Sequence, residues 1–399
     1  MLLQQRFQLG HIVSYGSCQF PTLGFVVDRW RRIKDFVPNP FWSIEMELKK
    51  MCPMDRREKK VRFNWSRVKL FDRELASVFY LICADNPVAT IEECDFREKR
   101  KFKPYPLTTI EMQKLATTKL RWTAAKVMDV AEKLYQAGFI SYPRTETNKY
   151  PPTIHLQTLV ANQQESGVWG QYAQNLLDPQ NQNAGNAFQS PRQGTKDDQA
   201  HPPIHPVRFP PGGSNLTGDQ LKLYEMVTRH FLATCSKDAI GDQTTITARI
   251  QTEKFHTNGL IIREKNYLEV FTYERWVQTD LPVFIEGETC HPSILEMKQS
   301  QTTAPNYLTE NDLITLMDKH GIGTDATIAE HIKTIQDRNY AKKQGQCIIP
   351  MDLGIALVTG FQDVGLDLSK PILRAGMERD MNGIVEGNRG KEETLGYHC

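Results

Sequence analysis

Phe41-Trp42-Ser43-Ile44-Glu45-Met46-Glu47-Leu48 alternates apolar and polar residues from Trp42 onward, the period of a strand that buries one face and wets the other. Val61-Arg62-Phe63-Asn64-Trp65 repeats the pattern after a basic turn. Alternation of this kind runs from about residue 38 to 105 and returns between about 243 and 290, in Thr244-Thr245-Ile246-Thr247-Ala248-Arg249-Ile250 and Gly259-Leu260-Ile261-Ile262. The residues between carry a helical period instead. The simplest arrangement is one β domain interrupted by an inserted helical domain, an α+β multidomain fold.

The insert begins after Pro104 and Pro106, with Thr108 or Thr109 as N-cap of a helix carrying Ile110, Met112, Leu115 and Ala116. A second helix follows Thr123, with Ala124, Val127, Met128, Ala131, Leu134 and Tyr135 on one face and Gly138 as its left-handed cap. Two short helices and a tight turn resemble a helix-turn-helix. A duplex-reading regulator is disfavoured, because neither helix concentrates basic residues. The strand Phe139-Ile140-Ser141 then delivers Tyr142-Pro143-Arg144. A phenol, with a free pKa of about 10, attacks usefully when a cation stabilises the phenolate or the charge on a pentavalent phosphorus. Guanidinium forks phosphate oxygens and keeps its charge, and the proline between the two residues stiffens their presentation.

Composition bounds the remaining readings. The 399 residues predict two to three domains, and 49 basic against 47 acidic residues give a net charge of only +2, so a polyanion site must be a local patch. No apolar run approaches a membrane span, and the N-terminal residues lack a signal-peptide core, which predicts an intracellular protein. The eight cysteines are scattered without a Cys-x-x-Cys pair, which predicts reduced thiols. His201 and His205 are separated by prolines that exclude a regular helix, so no zinc site is expected.

Further stretches carry chemistry. Gly16-Ser17-Cys18-Gln19-Phe20-Pro21-Thr22-Leu23-Gly24 lies close to the start of the chain, and Asp198-Gln199-Ala200-His201-Pro202-Pro203-Ile204 places a histidine three residues from a carboxylate. A neutral His donates through one nitrogen while a neighbour holds the other, and a charged one adds a cation against phosphate. Thr309 and Asp312 form a capping box before Leu313, Leu316 and Met317. Gly321-Ile322-Gly323-Thr324-Asp325-Ala326-Thr327 then opens a helix with Ile328, Ile332 and Ile335 on one face. Glycines and hydroxyl residues at a helix start offer backbone N–H groups to an anion. Residues 178–199, rich in Asn and Gln, are expected to form a mobile loop. Arg97, Lys99, Arg100, Lys101 and Lys103, interleaved with Phe96 and Phe102, are a weaker candidate for tracking a single strand.

These motifs, in this order and spacing and over nearly the whole chain, strongly resemble the type IA DNA topoisomerases, and within them the eukaryotic topoisomerase III alpha subgroup. The resemblance implies a gate with winged-helix-like helical domains and a β-strap domain. The corresponding segments are 1–25 and 306–399 for the gate base, 26–105 and 236–305 for the strap, and 106–235 for the inserted catalytic domain. It implies that Tyr142 attacks a backbone phosphorus of single-stranded DNA to give a 5′-phosphotyrosine, with no ATP. Arg144 and His201 would assist, Gly323, Thr324 and Thr327 would position the strand, and Gln19 and Thr22 would line the DNA groove. Phe20, Pro21 and Leu23 are expected to be structural.

Family members carry a Toprim domain with magnesium ligands and, in eukaryotes, a zinc-binding tail; both are missing from these residues, and magnesium is expected to be held elsewhere. By the same resemblance the partners are a RecQ-type helicase and an OB-fold protein acting in recombination and repair in the nucleus. The alternative reading is a catalytically incomplete, single-strand-binding fragment. Gly376 departs from the family pattern, and the C-terminal helix is expected to fray there.

Overall fold

The computed structural model describes residues 15–51, 57–178, 180, 187–212, 215–324, 327–392 and 394. Its central feature is a seven-stranded antiparallel sheet assembled from two separated segments of chain. The first segment supplies β1 (Pro40–Met51), β2 (Glu58–Trp65) and β3 (Ala89–Lys101), and the second supplies β4 (Ala239–Ile250), β5 (Glu253–Glu264), β6 (Thr289–Cys290) and β7 (Ile294–Gln301). Their order is β6-β3-β4-β5-β2-β1-β7. Asn64 and Trp65 pair with His256 and Phe255, the junction of the two segments.

The alternation in β1 buries Trp42, Ile44, Met46 and Leu48. They share a core with Phe63, Trp65, Ile246, Ala248 and Phe255. Glu253 is buried beside it because Arg67 forks its carboxylate at 2.8 and 3.0 Å and the Trp65 indole N–H donates at 2.8 Å. Burial opposes ionisation of Glu253, but these donors outweigh it and hold the pKa below its ordinary value. A helix, α2 (Arg73–Asp85), lies on β1 and β7 and is capped by Asp72, which accepts from the Leu75 N–H.

The chain leaves this sheet and returns to it at one place. Lys101 pairs with Ala239, and the Lys103 N–H donates to Asp238 at 2.9 Å. Here the basic stretch departs from the single-strand reading. Lys103 is buried and gives its ammonium to the carbonyls of Gln189 and Ser190, and burial lowers its pKa to about 8. Arg97 pairs with Asp95, Arg100 with Glu98 and Lys101 with Glu274. Of these cations Lys103 is withdrawn into the interior, while the exposed pairs of Arg97 and Arg100 hold their cations only weakly.

Between the crossings lie α3 (Thr109–Lys119), α4 (Ala124–Gln136), α5 (Leu156–Ala161), α6 (Gly170–Leu177) and α7 (Gly218–Thr234), and the short α8 (Tyr267–Val270) follows β5. Thr108 is the N-cap of α3 and Thr123 that of α4, each accepting from a backbone N–H in the first turn. Gly138, at φ +74°, ends α4.

The remaining unit holds α1 (Gln19–Lys34), which packs on α9 (Glu310–Lys319), α10 (Ile328–Asp337), β9 (Cys347–Pro350) and α11 (Asp352–Asp363). A short hairpin of β8 (Ala341–Gln344) with β9 forms a wing, turning at Gly345. Because α1 runs through residue 25, the boundary expected there falls inside a helix. A Cβ on Gly24 would overlap the Ser369 carbonyl oxygen, so glycine is what lets α1 lie against that segment. The last helix, α12 (Pro371–Val385), continues through Gly376, whose missing Cβ faces open space, so the expected fraying is not found.

Candidate active site

Tyr142 emerges from a small ladder. Ile140 bridges Pro206, Leu107 bridges Ile204, and the Ser141 N–H donates to the His205 carbonyl at 2.9 Å. His205 itself is a core residue, its pKa lowered by burial, with Nδ1 2.7 Å from the Pro203 carbonyl. Thr109, left over once Thr108 caps α3, donates its hydroxyl to the Pro143 carbonyl at 2.7 Å and accepts from the Thr145 N–H at 2.8 Å. The Tyr142-Pro143-Arg144 tripeptide is thus clamped by the first turn of α3.

The last turns of α4 meet the side chains of Tyr142 and Arg144. The Tyr135 ring meets that of Tyr142 edge-on, with centroids 5.2 Å apart, and Glu132, one turn earlier on the same face, accepts from Arg144 Nε at 2.6 Å. The His201 ring centroid lies 4.5 Å from that of Tyr142, the planes tilted by 39°. Among the described residues the Tyr142 hydroxyl has no hydrogen-bond partner, so its oxygen is uncommitted.

Asp198 organises the histidine loop. Its Oδ1 accepts from the Ala200 and His201 N–H groups at 2.9 and 2.8 Å, and its Oδ2 accepts from the Thr145 hydroxyl at 3.0 Å. Burial alone would push this carboxyl up, but the donated hydrogen bonds prevail and hold it at about 2. The ionised carboxylate stands 3.6 Å from His201 Nδ1. Since the folded pKa lies below the ordinary 3.8, Asp198 contributes stability above that value, and the contribution is lost as pH falls through about 2. Asp198→Asn is therefore expected to flatten the acid side of the thermal-stability profile between about pH 4 and pH 2. Melting curves across that range check it.

Other expected residues stand elsewhere. Thr22 is fully buried, its hydroxyl donating to the Cys18 carbonyl at 2.7 Å and lying 3.6 Å from Met317 Sδ. Gln19 is also buried, with no partner for its amide nitrogen among the described residues. Both lie in the first turns of α1, which packs on α9. Gly323 takes φ +81°, and the Thr327 hydroxyl turns back to accept from the Thr324 N–H at 3.0 Å, which closes the turn on itself; Asp325 and Ala326 lie outside the described residues. Three residues before Gly321, Asp318 pairs with Lys196 at 3.4 Å, which ties this turn to the Asp198 loop.

Of the loop expected at 178–199, residues 179 and 181–186 lie outside the described residues. The rest is anchored: the Gln189 N–H donates to the Cys235 carbonyl, and Asn148 receives the N–H groups of Gly194 and Lys196. Sequence reasoning missed Glu132 and Lys196. Glu132 sits on the polar side of α4's apolar stripe and reads as an ordinary solvated charge.

A family model described as DNA topoisomerase matches residues 1–396. The chain belongs to the type IA DNA topoisomerases. Among its topoisomerase relatives, DNA topoisomerase 3 of Caenorhabditis elegans is 47% identical over 386 residues, covering 96% of this chain and 49% of the relative. DNA topoisomerase 3-alpha of Mus musculus is 46% identical over 385 residues, covering 96% and 37%. The chain thus spans about half or less of the length of these relatives. Full-length topoisomerase I of Thermotoga maritima shares the fold at a TM-score of 0.75 and 24% identity, over 97% of this chain and 62% of that one.

Family members are expected to use magnesium, but no group of three His, Cys, Asp or Glu among the described residues is placed to hold a metal ion. No helix among the described residues is long and apolar enough to cross a membrane.

Proposed function

We propose that this chain carries the cleaving and rejoining centre of an ATP-independent type IA topoisomerase acting on single-stranded DNA. The observation that carries the reading is the uncommitted Tyr142 hydroxyl, held between the Tyr135 and His201 rings and two residues from a guanidinium. In the forward step the Tyr142 oxygen forms a bond to a backbone phosphorus and the bond from phosphorus to the 3′-oxygen breaks. The phenol proton is balanced by the proton gained at the released 3′-hydroxyl. One phosphodiester replaces another, so the reverse transfer reseals the strand without ATP.

Arg144 and His201 stabilise charge on the phosphoryl oxygens, and the Gly323–Thr327 turn, tied to the histidine loop by Lys196 and Asp318, positions the strand on the upstream side. The sheet that joins the two units at paired crossings is the strap about which the inserted unit swings for strand passage. By the family resemblance the proposal extends to action in the nucleus, in recombination and repair, alongside a RecQ-type helicase and an OB-fold partner.

The test uses single-stranded oligonucleotides labelled at one end or the other, incubated with the protein and magnesium and stopped with denaturant. A 3′-end label is expected to travel with the protein and a 5′-end label to leave as a shorter strand. The opposite polarity overturns the reading; absence of an adduct with single-strand binding intact assigns the chain to the incomplete-fragment alternative.

A further inference from the structure

A cleft of about 590 Å³ opens on the face of His201 and is lined only by residues between 147 and 202. That volume lies within the range of small-molecule sites, roughly 300–1,000 Å³. Pro151, Pro152 and Pro202 give it flat apolar walls, and Gln193 and Gln199 contribute amides able to donate and accept. Its two opposite charges, Lys149 and Asp197, are paired with each other at 3.0 Å. The walls therefore offer stacking faces and hydrogen-bonding edges with little net charge, which suits a neutral nucleobase better than a phosphate. The ring shared with the site decides which nucleotide it serves: His201 borders the cleft and lies 4.5 Å from the ring of Tyr142.

Resting on the function proposed above, we infer that this cleft receives the nucleobase immediately downstream of the break. Tyr142 becomes bonded to the 5′-phosphate of that nucleotide, and every lining residue belongs to the inserted unit that carries Tyr142. When the break opens, the downstream strand leaves with this unit while the free 3′-hydroxyl stays behind. A single phosphotyrosine bond lets the tethered end rotate. A base seated beside His201 holds the phosphorus in line for the returning 3′-hydroxyl, so the cleft acts on resealing more than on cutting.

The test uses single-stranded oligonucleotides carrying one 4-thiothymine at successive positions. They are bound to the protein, irradiated, and the crosslinked peptides identified by mass spectrometry, with overall affinity measured in parallel by fluorescence anisotropy. Ala200 lines the cleft and its side chain takes no part in the chemistry, so Ala200→Trp fills it; the Ala200 N–H that holds Asp198 is kept. One thiothymine position is expected to crosslink to residues 147–152 or 193–202. In Ala200→Trp that crosslink disappears and affinity falls about fivefold or more, the lower end of a base-stacking contribution. Intact binding with crosslinks only outside these residues, or an unchanged crosslink in Ala200→Trp, overturns the cleft assignment and leaves the proposed function standing. Absence of any single-strand binding overturns the proposed function and the cleft with it.

Discussion

Replacing Tyr142 by Phe is expected to abolish the covalent protein–DNA adduct while leaving single-strand affinity within about twofold, the range of a substitution that removes no structural contact. The ring contacts with Tyr135 and His201 are made by carbon atoms that Phe keeps, and the lost hydroxyl has no partner among the described residues. Folding has little to lose, whereas the reaction loses its only attacking atom. Denaturing gels of the parent and the variant, with anisotropy on the same oligonucleotide, separate the two effects. A persistent adduct in Tyr142→Phe would assign the nucleophile elsewhere.

Arg144→Ala is expected to slow adduct formation by about 100- to 1,000-fold, the usual cost of deleting one donor aimed at developing oxyanion charge. The guanidinium is already oriented by Glu132, so little of its effect is spent on ordering it when the phosphate arrives. The ion pair itself is partly exposed, with about a third of each side chain accessible, so breaking it costs little stability. Arg144→Lys restores the charge but not the planar fork and should recover only part of the rate. Single-turnover rates of adduct formation for the three proteins, at saturating oligonucleotide, make the comparison. Equal rates in the parent and Arg144→Ala would remove Arg144 from the chemistry.

What could be read from the sequence follows the range of the interactions. Alternation in Trp42–Leu48 and Thr244–Ile250, capping at Thr123 and Thr309, and the Gly138 stop are local signals, and the elements they specify are in place. The choice between Thr108 and Thr109 was undecidable locally. It is settled by Pro143 and Thr145, more than thirty residues away, which claim the Thr109 hydroxyl. Helix α2 was absorbed into a region read as continuously β, because its face toward the sheet buries only Ala76 and Cys83 and leaves Leu75, Val78 and Leu81 exposed.

The site shows the same division. Tyr142, Arg144 and His201 stand out by residue type and neighbours, whereas the groups that hold them are set by tertiary contacts. Glu132 reaches Arg144 across twelve residues, Asp198 reaches Thr145 across 53, and Lys196 reaches Asp318 across 122. The burial of Gln19 and Thr22 has the complementary cause: polar side chains at a helix start look exposed until another helix is laid over them. Glu310 is a further case. Read as the start of a capped helix, it is in fact buried, where it accepts from the Ala124 N–H at 2.6 Å and pairs with Lys343 at 3.2 Å, fastening α9 to the start of α4.

The most direct measurement is to trap the adduct with labelled single-stranded DNA, digest it with protease and nuclease, and sequence the peptide that retains a nucleotide. The expected peptide spans Ser141–Lys149 with a nucleoside 5′-phosphate on the oxygen of Tyr142. A nucleotide on any other residue, or attached through its 3′-phosphate, would contradict the assignment of Tyr142 as the residue that breaks and rejoins the strand.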